Sequence, residues 1–497
     1  MQVHDSNRFD LLVIGGGING AGIARDAVGR GLSVMLCEKD DLSQGTSSKS
    51  SKFVHGGLRY LEHYEFGLVR KALIEREIIL GIAPHISRPL KLVLPVVGGM
   101  RPEWLLRLGL LVYDNLGGRK RIPASTSLRL RDDPAGQVLS PDLRRALAYW
   151  DVWIDDSRLV VLNALDASRR GARICTRIEL VSARREGDSW LATTRSAETG
   201  AEETVAAGAL VNATGPWVEG TSAMLTGTTL KQRIRLVKGS HLVLRKWWDG
   251  DYGFVLQAPD GRIIFVTPYF GDFAMVGTTD VPFAGKPEEV EIDREEIDYL
   301  LALLNRFFRK RFCEADIHHS YSGVRPLFDD DQSKGASSVT RDYRLEIDGD
   351  GAPAIFVLGG KLTTYRKLAE DVMHGLKSCF PDLGGSWTGT EKLPGGKPHG
   401  PSHASAWLPE ELAADLAGRY GSLAPELLEG IESAELMGAP IAGQLYPAEA
   451  RWSIEREWAR TASDIVDRRN RSCLEFGPAE REALDGWIRK YRDENRA

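Results

Sequence analysis

The chain has 497 residues, and at about 150 residues per domain that length predicts a protein of several domains. Its 64 Lys and Arg against 69 Asp and Glu give a net charge of −5, with 27% charged and 42% hydrophobic residues. That balance excludes a disordered chain and a generally basic nucleic-acid binder. Cys37, Cys175, Cys313, Cys379 and Cys473 are scattered with no C-x-x-C pair. They offer neither a zinc site nor a disulfide framework and fit a reducing, cytoplasmic compartment. The opening MQVHDSNRFD has no apolar core of a secretory signal.

The first predicted element is a buried strand, FDLLVI at 9–14, bounded by Gly15-Gly16-Gly17. An Ala-rich helix over Ile18–Arg30 and a second strand, LSVMLCE at 32–38, complete a βαβ unit. Residues 58–82 carry helical periodicity, with Pro84 as a stop. Trp104–Tyr113 (WLLRLGLLVY) is too short to span a bilayer. It reads first as a buried helix. The alternative is a monotopic membrane face, because Arg101, Arg107, Arg119, Lys120 and Arg121 flank or interrupt it.

Strands over ICTRIELVSARREGDSWLATTR and GALVNAT are expected to return to the first sheet, whereas the short alternating runs within 232–281 predict a separate antiparallel sheet. A helix (Arg294–Phe308) and a strand (Ile317–Val324) follow. AIFVLGG at 354–360 and a helix from Lys361 to Cys379 repeat the strand–glycine–helix style. A Gly/Pro-rich linker then precedes a small α domain at about 400–497, whose run Arg468-Arg469-Asn470-Arg471 reads as a solvated helix face.

Gly15-Gly16-Gly17-Ile18-Asn19-Gly20 fits G-x-G-x-x-G in the right setting: it follows a strand, opens a helix, and Glu38 closes the next strand. Gly15 permits the tight turn, Gly17 lets the backbone approach a pyrophosphate, and Gly20 lets helix and strand pack closely. Free helix-start N–H groups suit the phosphates, and Glu38 suits a ribose without a 2′-phosphate. NAD and FAD share this fingerprint. LVNATGPW at 210–217 and FVLGGKLTTY at 356–365 add two further segments. Three separated stretches suit an extended FAD, with NAD as the lesser alternative.

The fingerprint, TSSKSSKFVHGGLRYLEHYEF (46–66), VNATGPW, KGSHLVL, GTTD, YSGVRPL and GGKLTTYRKLAED together resemble the FAD-dependent (aerobic) glycerol-3-phosphate dehydrogenases, within the D-amino-acid oxidase-like fold group. The resemblance covers residues 9 to 380 and weakens beyond. It implies α/β plus α+β architecture: a Rossmann-like FAD-binding domain, an antiparallel-sheet substrate domain and a C-terminal helical cap. The predicted partition gives the FAD-binding domain 1–80, 166–225 and 341–385, with a cap insertion and membrane face at 81–165. The substrate domain takes 226–340, a linker 386–403, and the helical domain 404–497.

The activity implied is oxidation of sn-glycerol 3-phosphate to dihydroxyacetone phosphate by hydride transfer to flavin N5, with electrons passed to a quinone. Peripheral attachment to the inner face of the cell membrane follows from the same resemblance, and a homodimer is compatible with it. The fingerprint residues Ile14, Gly15, Gly16, Gly17, Ile18, Asn19 and Gly20, with Glu38 and Lys39, are expected to hold the cofactor. So are Thr46, Ser47, Ser48, Ser50, Ser51, His55 and Gly57. The second segment adds Ala213, Thr214, Gly215 and Trp217, and the third adds Gly360, Lys361, Leu362, Thr363 and Thr364.

Arg59 can fork onto the substrate phosphate with Tyr60 as a further donor. His241, neutral near its ordinary pKa of about 6.5, can accept the hydroxyl proton. Arg325 is a poor base, so an electrostatic role at the reacting oxygen suits it better. Thr278 can donate its hydroxyl, and Lys361 can stabilise reduced flavin or the substrate oxygen. His241, Arg325 and Lys361 are therefore the expected catalytic groups, and no metal is expected. Three alternatives remain at this point: an oxidase using O₂, an amine or 2-hydroxy-acid oxidase, and a non-enzymatic flavin scaffold.

Overall fold

The computed structural model describes residues 4–98, 102–118, 121–328, 342–398 and 407–495, without the side chains of Asp5, Arg59 and His63. Its first sheet has nine strands. The parallel core runs Arg173–Thr176, Val34–Glu38, Arg8–Ile14, Glu202–Asn212 and Ala354–Leu358. Glu202–Asn212 also pairs antiparallel with Ser189–Ser196, so this one strand joins the Rossmann-like core to a meander. The parallel strands are continuous apolar runs such as Leu11–Leu12–Val13 because both of their faces are covered. Helices Ile18–Gly29, Asp156–Arg169 and Tyr365–Gly375 pack on one another over this core.

The second sheet has ten strands and is mostly antiparallel. Its centre follows the order Ile234–Arg245, Phe273–Gly277, Ile263–Pro268 and Tyr252–Gln257. The last of these pairs parallel with Ser87–Pro95, which continues to Arg145–Ile154. The sheet is therefore mixed, and strands from the predicted insertion 81–165 complete it. Of these, Ser87–Pro95 finds its parallel partner Tyr252–Gln257 more than a hundred residues away, and no local pattern carries that information.

Four other expectations change. The helix expected over 58–82 is two elements, Leu58–His63 and Phe66–Ile82, broken where Tyr64 takes φ +59°. The helix expected from Lys361 begins at Tyr365, so Lys361–Thr364 form a turn before it. The described part of the linker is packed: Trp387 donates to Asp26 O at 3.2 Å and lies under Arg25, and Leu393 is fully buried. The arginines of the run 468–471 are buried in ion pairs and are not a solvated face.

The helix Glu103–Leu116 buries Leu110 and Tyr113, while Trp104, Leu105, Leu108 and Leu111 stand in solvent. It is thus half-buried, with an apolar outer stripe at helical spacing. Arg101, Arg119 and Lys120 lie outside the described residues. Among the described residues, no helix is long and apolar enough to cross a membrane.

Candidate active site

A cavity of about 1200 Å³ lies between the two sheets, larger than one small ligand needs. One wall is the glycine turn after the first strand. A Cβ on Gly20 would stand 1.9 Å from Gly15 O, and one on Gly15 would stand 2.8 Å from Ala213 O. These glycines let the strand end, the helix start and the second segment at Ala213 touch. A Cβ on Gly17 would meet Ser47 Oγ alone, at 3.1 Å, so the helix start opens onto the cavity there. Ile18 N–H donates to Ser47 Oγ at 3.0 Å. Glu38 closes the next strand and accepts from Gly16 N–H at 2.6 Å and Asp40 N–H at 2.9 Å. Burial raises its pKa against those hydrogen bonds.

The third segment meets the first where Asn19 Nδ2 donates to Gly359 O at 3.3 Å; Asn19 Oδ1 is buried without a hydrogen bond. His55 N–H reaches Thr363 Oγ1 at 3.4 Å. Lys39 pairs with Glu288 at 3.1 Å and lies over the Trp217 ring, closing one edge. Thr46 Oγ1 donates to Val324 O at 2.6 Å, and Thr214 Oγ1 to Asn212 Oδ1 at 2.7 Å. Of the expected cofactor residues, all but four line this cavity. Gly16 and Gly20 are packed behind it against Glu38 and Gly15, and Ser48 and Thr364 are buried. The open cradle, the unpartnered Asn19 oxygen and the length of the cavity fit an extended dinucleotide.

The second sheet forms the opposite wall. Side chains two apart on a strand share a face, which brings Gly239, Phe265, Val255 and Arg325 to the cavity wall, with His241 and Gly277 behind it in the same register. Arg325 is held by Asp280 at 2.9 Å and Thr278 Oγ1 at 2.7 Å. A Cβ on Gly239 would lie 2.4 Å from Arg325 Nη2, so the glycine of KGSH makes room for the guanidinium. Lys361 Nζ lies 3.1 Å from Tyr60 Oη and 4.2 Å from the centre of its ring. Gly57, at φ +74°, turns the chain beneath that ring. The backbone of Arg59 lies in the adjoining turn, and its side chain is outside the described residues.

His241 is buried behind the wall, 1% exposed. Its Nε2 is 2.9 Å from Ser51 Oγ, its ring stacks on Tyr321 at 4.7 Å, and its Nδ1 has no hydrogen-bond partner. Burial, then the charges of Arg325 and Lys52, hold its pKa well below the usual value. The imidazole thus meets the cavity through Ser51, which lines it. Two groups were missed from sequence: Asp280, which closes the GTTD motif and anchors Arg325, and Ser51 as a bridge to His241. Asp280 was visible in the motif; the bridge spans 190 residues and had no signal.

The far end of the cavity is apolar. Leu94, Leu106, Val112, Val255 and Phe265 line it, and it reaches the surface beside Leu105, Leu108 and Phe66.

The FAD dependent oxidoreductase family, DAO, matches residues 10–366. The chain belongs to this family. The C-terminal domain of alpha-glycerophosphate oxidase matches residues 359–494. A D-erythritol 1-phosphate dehydrogenase of Brucella abortus is 48% identical over 96% of this chain and 97% of its own. The aerobic glycerol-3-phosphate dehydrogenase of Escherichia coli is 43% identical over 97% of each. The X-ray structure of the glycerol-3-phosphate dehydrogenase from Bacillus halodurans complexed with FAD superposes with a TM-score of 0.77. That pair is 26% identical, covering 99% of this chain and 92% of the other. FAD is the cofactor, and the chain is an FAD-dependent enzyme of Rossmann-like α/β architecture with a helical C-terminal domain.

Proposed function

We propose that this enzyme oxidises sn-glycerol 3-phosphate to dihydroxyacetone phosphate at the inner face of the cell membrane and passes the electrons to a quinone. The observation that carries this reading is the presence of two fixed cations, Arg325 and Lys361, in the wall of the cavity that also holds the glycine cradle. When bound, FAD supplies the acceptor for the carbon-bound hydrogen and its two electrons. The turn at Gly15–Gly17, Glu38, the Thr46–Ser51 loop, Ala213–Gly215 and Gly360–Thr363 would hold it.

Lys361, Tyr60 and Arg59 are assigned to the substrate phosphate, where cations and a phenol hydroxyl supply charge-assisted donors. Arg325 and Thr278 face the reacting oxygen; Asp280 fixes the guanidinium so that no reorganisation is needed as charge changes there. His241, kept neutral by burial and neighbouring cations, is an empty proton acceptor reached through Ser51. A weak base suffices, because the alcohol proton becomes strongly acidic as the carbon loses hydride.

The apolar end of the cavity suits a quinone ring, and the exposed stripe of Trp104, Leu105, Leu108 and Leu111 suits the bilayer from which a quinone must come. Anaerobic titration of the yellow holoenzyme with glycerol 3-phosphate tests the substrate; a flavin that stays oxidised refutes it. Stopped-flow reoxidation tests the acceptor, and rapid reoxidation by O₂ alone would replace the quinone. One observation favours a second substrate: the 48% identical relative is named for D-erythritol 1-phosphate. Flavin bleached by that four-carbon polyol phosphate, at concentrations where glycerol 3-phosphate leaves it yellow, would decide for it.

A further inference from the structure

The C-terminal domain reaches the cavity through its buried arginines. Arg468 Nε lies 2.6 Å from Asp41 Oδ2, and Arg469 binds both oxygens of Asp41 at 2.8 and 2.7 Å. Arg471 donates from Nε and Nη2 to Asp155 Oδ1, at 3.1 and 2.8 Å, and from Nη2 also to Asp156 Oδ1. Asp41 and Lys52 bracket the loop that follows Glu38 and carries Thr46–Ser51; the domain holds it directly at Asp41 and reaches Lys52 through Asp156.

The second grip leads into the active site. Asp156 Oδ2 accepts from Ser50 Oγ at 2.7 Å, Ser50 N–H at 3.3 Å and Lys52 Nζ at 2.7 Å. Lys52 Nζ also donates to Ser48 O at 2.7 Å. Between Ser50 and Lys52 stands Ser51, 2.9 Å from His241 Nε2. Tyr321, stacked on the imidazole, donates its hydroxyl to Ser50 O at 3.1 Å.

We propose that Arg471 is a positioning residue for the active site: through Asp156 it fixes Ser50–Lys52, and thereby the hydrogen bond between Ser51 and His241 at the polar end of the cavity. Buried charge couples these groups. Asp155, Asp156, Lys52 and Arg471 are all buried, and the two carboxylates are adjacent in sequence at the start of the helix Asp156–Arg169. Two cations against two anions close the cluster. Without Arg471, Lys52 is the cation left against Asp156, and Asp155 loses its charged partner in a site of low dielectric. The carboxylates must then move apart or recruit water, and Asp156 carries Ser50 with it. Arg481, paired with Asp467 at 2.8 Å wholly within the C-terminal domain, provides the control.

The inference rests on the proposed substrate, and the experiment separates the two. Wild-type, R471Q, R471K, R481Q and S50A holoenzymes are reduced anaerobically by glycerol 3-phosphate, with rates taken per bound flavin. A wild-type flavin that does not bleach refutes the substrate and leaves the structural readout below to decide the inference. R471Q is expected to reduce its flavin about 10- to 100-fold more slowly at saturating substrate, the penalty of a misplaced site, with the substrate Kd within about threefold. R471K is expected to recover most of the rate, R481Q to match wild type per flavin, and S50A to be as slow as R471Q. A crystal structure of R471Q is expected to show Ser51 Oγ beyond about 3.5 Å from His241 Nε2. An unchanged per-flavin rate in R471Q, equal slowing in R471Q and R481Q, or an intact Ser51–His241 bond would each overturn the proposal. If R471Q does not accumulate as folded holoenzyme, S50A carries the test, and a wild-type rate in S50A overturns it.

Discussion

Replacing Trp104 and Leu111 with serine tests the membrane face without touching the cavity. Both side chains lie on the outer stripe of the helix Glu103–Leu116, 67% and 60% exposed, and neither lines the main cavity. Their exposed fractions together amount to somewhat more than one whole apolar side chain. Full burial of one such side chain contributes about 1.5–3 kcal/mol, so transfer of this pair into lipid contributes about 2–4 kcal/mol. At 1.4 kcal/mol per decade, the double variant should partition about 30- to 700-fold less strongly onto vesicles. Co-sedimentation with liposomes containing anionic phospholipid measures this directly. Thermal stability and reduction of a soluble dye should stay at wild-type levels, because both side chains already face water in the free protein. Partitioning that changes less than threefold would refute the assignment of this face. Equal loss of the dye-coupled rate would do the same, since it would locate the defect inside the enzyme.

A Gly20→Ala substitution puts a methyl group 1.9 Å from Gly15 O, a backbone atom that cannot step aside. It should cost about 1–3 kcal/mol or more of stability and yield protein without bound FAD, checked by absorbance and thermal melts. Gly239→Ala intrudes on Arg325 Nη2 and Thr278 Oγ1; flavin reduction at saturating substrate should slow about tenfold or more while flavin content stays full and the substrate Kd, from titration of flavin bleaching, changes little. Lys361→Met should raise the Kd for glycerol 3-phosphate and flatten its dependence on salt, measured by the same titration at two ionic strengths. Because the native pKa of His241 lies well below that of the unfolded chain, the unfolded state binds the extra proton as pH falls through 6.5. Stability from this group is therefore lost on acidification, and the rate of flavin reduction should show no inflection at 6.5; an inflection there in wild type, absent in H241N, would contradict the burial argument.

What could be read from sequence was whatever is encoded locally. Gly15, Gly17 and Gly20 are legible because each answers to a backbone approach within a few residues of a strand or helix end. GTTD, SGVRP and GGKLTTY likewise carry their own turns, and Thr278, Arg325 and Lys361 do converge on one cavity. What failed depends on distant partners. Arg471 pairs with Asp155 across 316 positions, so a run of arginines on a helical domain looked like a surface. The strand Ser87–Pro95 finds its sheet through Tyr252–Gln257, again far away. The break at Tyr64 is a conformational choice of one non-glycine residue, invisible to a periodicity that continues through it. His241 lies well inside the strand Ile234–Arg245, and its depth behind Ser51 belongs to the tertiary packing.

The two cations of the polar end differ in a way that orders their work. Arg325 is compensated by Asp280, a carboxylate 2.9 Å away, so its position is fixed while much of its charge is spent. Lys361 meets a phenol, Tyr60, and no ion pair with a carboxylate is found for it among the described residues. A doubly charged phosphate gains more from the uncompensated cation, whereas an oxygen whose charge changes only during reaction gains more from a donor that is already immobile. The same logic explains the buried cluster behind Ser51. There the charges are balanced in full, because their task is to hold a hydroxyl in place and a net charge would bias the proton on His241. Attraction is left to Lys361, and geometry is entrusted to the neutralised pairs.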